Sequence, residues 1–158
     1  MYVVCYDNYP FSLHSSTIRL YNTDTLSPLD VVINVTGMTY PRDIVVCRHD
    51  RQLYIADYYC IWRVSVDDHS YIKWMTTQFN VCSLSITSRH LLVNTVRQYS
   101  TTNKQLLCVV SLPQYVKSLW HAVETTHGTF VVCHRGTSQH EWQYAVSELL
   151  RFCHVLQY

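Results

Sequence analysis

Short apolar runs alternate with polar turns along the whole chain, and the runs are too brief and too rich in β-branched residues to be helices. Three segments superpose when written under one another: Arg51-Gln-Leu-Tyr-Ile-Ala-Asp57, Arg89-His-Leu-Leu-Val-Asn-Thr95 and His127-Gly-Thr-Phe-Val-Val-Cys133. Leu53, Leu91 and Thr129 stand 38 residues apart, as do Ile55, Val93 and Val131. Across a polar turn each is preceded by another run, Asp43–Cys47, Ser83–Thr87 and Trp120–Glu124, so each unit opens with a predicted hairpin. A third run follows, clearest in Cys60-Ile-Trp-Arg-Val-Ser-Val66, and then a fourth, Tyr71–Met75 or Leu106–Leu112. Four short strands in a period of about 40 residues are the signature of a propeller blade.

The ends keep this register. Calling the strands of a blade A to D, Tyr2–Asp7 reads as B, Ser16–Tyr21 as C and Asp30–Val35 as D, while Ala145–Phe152 reads as the C strand of a last unit. The chain is then BCD, ABCD, ABCD, ABC. The expectation is an all-β fold, a β-propeller or partial propeller of four-stranded blades in one unit spanning 1–158, with a blade part at 1–38, blades at 39–80 and 81–113, and a blade part at 118–158. The two ends supply six strands where one shared blade needs four. The arrangement is either a four-bladed ring with thinned blades or an open arc whose sheet edges invite self-association.

Pro41-Arg-Asp-Ile44, Leu53-Tyr-Ile-Ala-Asp57 and Ile61-Trp-Arg-Val64 carry a family likeness. The chain resembles the NHL-repeat type of β-propeller, in which a Pro-x-x-Ile strand leads to a Leu/Ile-Tyr-Val-Ala-Asp strand and then to an Ile-x-Arg-Val strand. The likeness is concentrated in that one blade, since the later units have lost the Asp and most of the Arg. It implies a protein-binding platform built of loops. It also implies that Asp57 accepts N–H bonds from the turn that follows it, and single-stranded RNA binding is a known use of some members.

Composition supports strands. Val, Ile and Thr together number 42, with 13 Tyr and 4 Trp, against 3 Ala, 3 Glu and 3 Lys. A net charge of +1 and 15% charged residues exclude a polyelectrolyte partner for the chain as a whole. With three Gly in 158 residues, the tight turns are expected to be type I turns filled by Ser, Thr, Asn, Asp and His. Seven Cys form no CxxC pair, no apolar stretch approaches 18 residues, and the opening MYVVCYDNYPF lacks the features of a signal peptide. The expectation is a cytoplasmic chain with reduced thiols and no membrane association.

Candidate chemistry is sparse. If Trp120–Glu124 pairs with Thr129–His134, His121 and His134 become opposed or diagonal neighbours that could hold a divalent metal, with Glu124 as a carboxylate. Asp43 and Asp57 could meet at one mouth of a propeller, where strand-end carboxylates bind calcium or act as bases. Against both stand the missing third ligand and the structural role of such an Asp. No GxSxG and no phosphate-binding Gly loop is present. Arg42, Arg48, Arg51, Arg63, Arg89, Arg97 and Arg135, with Tyr58, Tyr59, Tyr99 and Tyr115, could contact RNA, yet Asp residues are interleaved among them. The function expected is a non-enzymatic scaffold that binds protein through loops at one mouth, using Arg42, Tyr58, Tyr59 and Arg97, with no cofactor. The alternatives are a metal-dependent propeller hydrolase or lactonase using calcium or zinc, and single-stranded RNA binding.

Overall fold

The computed structural model describes residues 2–6, 16–22, 24–86, 90–94, 97–110, 117–124, 130–135, 144–149 and 153–154. Among them the fold is all-β: fifteen antiparallel strands and no helix. The chain divides into two compact units, Met1–Val46 with Asp50–Val81, and Cys47–His49 with Cys82–Tyr158.

In the first unit β1 (Tyr2–Tyr6), β2 (Ser16–Tyr21) and β3 (Pro28–Asn34) form a three-stranded meander, the expected BCD. A four-stranded meander follows, the expected ABCD: β4 (Pro41–Cys47), β5 (Gln52–Asp57), β6 (Cys60–Ser65) and β7 (Tyr71–Thr76). Strand alternation explains the core. Leu53 and Ile55 of β5 share a face with their partners Val64 and Trp62 of β6, and these four pack with Ile18, Ile33, Val35, Met38 and Cys60. Full burial of Leu53, Ile55 or Val64 contributes about 1.5–3 kcal/mol each. Strand β5 is central and buried on both faces, so its run lacks polar alternation: Tyr54 and Ala56 on its other side are also buried. Tyr54 meets Trp74 edge to face, with ring centroids 5.3 Å apart.

One turn occurs three times. In Asn22–Ser27, Ser65–Ser70 and Ser100–Gln105 the N–H of the first residue donates to the C=O of the last, at 3.0, 2.8 and 2.9 Å. The first side chain, Asn22 Oδ1, Ser65 Oγ or Ser100 Oγ, accepts the N–H groups two and three residues on. The residue before the last takes positive φ: Leu26 at 54°, His69 at 58° and Lys104 at 63°. The expected polar residues are thus present, but the turns do not avoid the left-handed region that glycine would fill. They place ordinary side chains in it at a cost of about 1–2 kcal/mol each. Glycine serves where Met38 N–H donates to Val35 C=O across Thr36-Gly37, and Gly37 has φ +88°, as the third position of a type II turn requires.

In the second unit β8 (Leu84–Ile86), β9 (His90–Val93), β10 (Arg97–Ser100) and β11 (Leu106–Val110) form the next expected ABCD, and β12 (Lys117–Glu124), β13 (Phe130–Arg135) and β14 (Tyr144–Leu149) the final ABC. A further strand, β15 (Cys153–His154), was not foreseen. It pairs antiparallel with β11 through His154 opposite Val109 and Cys153 opposite Val110, adding a fifth strand to that sheet. The reason is physical: β11 presents a row of otherwise unpaired N–H and C=O groups, and an extended segment satisfies them. This sheet has a more polar interior than the β4–β7 meander. Gln98 is buried, accepts the Cys108 thiol at 3.4 Å and lies 3.1 Å from His90 Nδ1.

Candidate functional site

Strands β5 and β6 pair down to Asp57 opposite Cys60, which leaves Tyr58-Tyr59 as a two-residue turn. Tyr58 has φ 42°, a left-handed conformation unusual for an aromatic residue. The backbone holds it there. Tyr58 C=O accepts Val81 N–H at 2.6 Å, and Tyr59 C=O accepts Thr77 N–H at 2.8 Å.

Asp57, only 2% exposed, lies at the base of the turn. Its Oδ1 accepts Tyr40 N–H at 2.6 Å and Thr39 Oγ1–H at 3.3 Å, and Thr39 N–H reaches both oxygens. Its Oδ2 accepts Trp62 Nε1–H at 3.0 Å and the Cys60 thiol at 3.6 Å. Asp57 is therefore a structural acceptor, though not for the turn after it: it gathers the segment entering β4. Burial foremost, then the charge of Asp57, pushes the Cys60 thiol up to about 11, so this cysteine is a donor and not a nucleophile.

These fixtures bring four side chains together. Tyr58 packs against Tyr59 edge to face at 4.4 Å and against Tyr40 at 6.0 Å, and the Arg42 guanidinium lies over the Tyr58 ring at 5.4 Å. Tyr40 and Tyr59 are 49% and 48% exposed, far more than aromatic rings of a core. The hydrogen bond with Tyr58 holds the Tyr59 phenol above its ordinary value, so the Tyr59 hydroxyl is a neutral donor at physiological pH. The arrangement offers ring faces, three phenols and one planar cation, a set suited to contact.

Three of the four residues expected to bind, Arg42, Tyr58 and Tyr59, form one cluster. The fourth, Arg97, belongs to the second unit, where it opens β10 opposite Val93 and Val109. Tyr40 was missed; its position beside Pro41, in the segment that leads into the best-matching repeat, was the available signal. Asn94 was missed as well. Its Oδ1 accepts Cys82 N–H at 2.7 Å and Ser83 N–H at 3.3 Å, holding the segment that enters β8 as Asp57 holds the one that enters β4. Alignment by the 38-residue period hides this, because Asn94 falls opposite Ala56, one place before Asp57.

The metal candidates are placed as follows. Asp43 Oδ1 accepts Ile44 N–H at 2.8 Å. Backbone register sets His121 opposite Cys133, and His134 opposite Leu119 and Ala145, with irregularities at Lys117/Leu119 and Leu119/His121. Among the described residues no group of three or more His, Cys, Asp or Glu is arranged to hold a metal ion. Among the RNA candidates, Arg51 is ion-paired with Asp67, and Arg89 and Tyr115 lie outside the described residues. No helix among the described residues is long and apolar enough to cross a membrane. No protein-family model matches the chain, and no curated protein matches it.

Proposed function

We propose that this chain is a non-enzymatic binding module on an NHL-like propeller plan, presenting Tyr40, Arg42, Tyr58 and Tyr59 to a protein partner. The observation that carries the proposal is the exposed cluster of rings and guanidinium on a turn pinned through its backbone. Exposed aromatics beside arginine are the composition of interface anchors, and a rigid turn loses little entropy when a partner orders on it. The propeller plan is supported by consecutive antiparallel meanders and by one turn repeated between the last two strands of three meanders. Cys47, Cys60, Cys82, Cys108 and Cys133 are in no disulfide, which favours a cytoplasmic setting.

A displayed peptide library panned against the protein tests this. Enriched peptides should bind wild type and lose about tenfold or more in affinity for the Arg42→Ala/Tyr59→Ala double variant, whose melting temperature should match wild type. Peptides indifferent to that variant would overturn the proposal, as would stoichiometric calcium or zinc in purified protein. Affinity for short single-stranded RNA that falls steeply with salt and vanishes in the same variant would replace a protein partner with RNA.

A further inference from the structure

The outer edge of β7 combines three features that no binding role has yet absorbed. First, among the described residues it is an edge: β7 is the last strand of its sheet, and no described strand lies beyond it. Ser65 N–H donates to Ser70 C=O, which makes 65 and 70 a hydrogen-bonded pair. The antiparallel alternation then turns the N–H and C=O groups of Tyr71 and Lys73 outward. Second, a pocket of about 190 Å³ lies beside this edge, lined by Gln52, Arg63, Ser65, Ser70, Tyr71 and Ile72. Third, the corresponding position of the next four-stranded meander is already used, since β15 adds to the outer edge of β11 as a fifth strand.

The charges indicate what would fit. The pocket lining holds one charged group, the guanidinium of Arg63, and β7 itself carries Lys73 and no acid. Of the two nearby acids, Asp67 is paired with Arg51, and Asp68 is hydrogen-bonded by Ser65 and Ser70 at the turn end of the pocket, which hold it down at about 2 and satisfy its charge there. Arg63 has no carboxylate partner among the described residues. Register also fixes the reach. Tyr54, Arg63 and Ile72 lie in one cross-strand row, so a residue added opposite Ile72 falls on the Arg63 face. Its Cα would be two strand spacings from that of Arg63, roughly 10 Å. An arginine and a glutamate side chain together span that distance.

We propose that the outer edge of β7 docks an extended segment of another protein by strand addition, with a glutamate of that segment directed into the pocket at Arg63. Main-chain bonds on β7 supply affinity, and the guanidinium supplies selectivity for the carboxylate.

The probe is the blocked peptide acetyl-Thr-Val-Glu-Val-Thr-amide, titrated into the whole chain beside its Gln counterpart and a form N-methylated at alternate amides. The Glu peptide should bind about tenfold more tightly than the Gln peptide. It should also slow hydrogen exchange at the amides of Tyr71 and Lys73, and N-methylation should abolish binding. Arg63→Gln should equalise the Glu and Gln peptides; if that variant melts early, Arg63→Lys, which keeps the charge and the stem, should still prefer the Glu peptide. Equal binding of the two peptides to wild type, protection away from β7, or no binding at millimolar peptide would each overturn the proposal. A mass that doubles with concentration and protects the same two amides would do so too, by giving the edge to a second copy of the chain.

Discussion

The two four-stranded meanders solve the same local problem with different chemistry. In β4–β7 a buried carboxylate, Asp57, collects backbone, hydroxyl, indole and thiol donors at the foot of the β5–β6 turn. In β8–β11 a neutral amide, Asn94, collects two backbone N–H groups near the exposed Cys82. Both side chains anchor the segment entering the first strand of their sheet. A charged acceptor can gather more donors, but only if burial and donor count are matched; where water can reach, an amide suffices. The difference follows the exposed cluster: the meander that presents Tyr40, Arg42, Tyr58 and Tyr59 is the one with the stiffer anchor.

The largest expected effect breaks that contrast directly. Asp57→Ala leaves Thr39, Tyr40 and Trp62 donors without their acceptor and should cost about 3 kcal/mol or more in urea unfolding. Asn94→Gly, which keeps the backbone at ease at φ 49°, should cost about 1 kcal/mol, because solvent can replace the lost acceptor. Equal losses at the two positions would show that burial does not separate the anchors.

Next in size, Ser65→Ala and Ser100→Ala remove the same acceptor from the repeated turn and should each cost about 0.5–1 kcal/mol, alike in the two meanders. Smaller and of opposite sign, His69→Gly and Lys104→Gly should stabilise by about 0.5 kcal/mol, since relief of the left-handed strain outweighs the added freedom of the unfolded chain. The last effect belongs to β4–β7 alone. The Cys60 thiol ionises near 9 when unfolded and near 11 when folded, so the unfolded state releases its proton first as pH rises. Wild type should therefore be at full relative stability below pH 9 and lose ground to Cys60→Ala between pH 9 and 11. Parallel urea midpoints for the two proteins across that interval would remove the argument.

Strand order was legible because β-branched runs and the 38-residue period both survive without glycine. The run Leu53-Tyr-Ile-Ala-Asp57 located the buried central strand, and the residues just after it, with the Pro41-Arg42 pair, located three members of the exposed cluster. Other features were hidden for stated reasons. Asn94 replaces Asp57 one residue out of phase, so alignment by period reads it as a loss. Strand β15 is two residues long and shows no alternation; only the open edge of β11 gives it a place. The left-handed turns were hidden because Leu26 and Lys104 have no intrinsic preference for that conformation and His69 only a slight one. The hydrogen bonds of Asn22, Ser65 and Ser100 impose it. In the Arg63 pocket, Gln52, Arg63 and Ile72 come from three different strands, so no short motif marks it.

The Tyr58-Tyr59 turn is fastened through its carbonyl oxygens, with Val81 and Thr77 as the donors, and its rings take no part in that fastening. Position and identity are thereby separated. Whatever side chains stand at 58 and 59, provided the first tolerates φ 42°, the backbone will hold them out at the same place. The contact surface can be rewritten residue by residue while the fold beneath it stays unchanged, so these two positions are an address to which new specificities can be delivered.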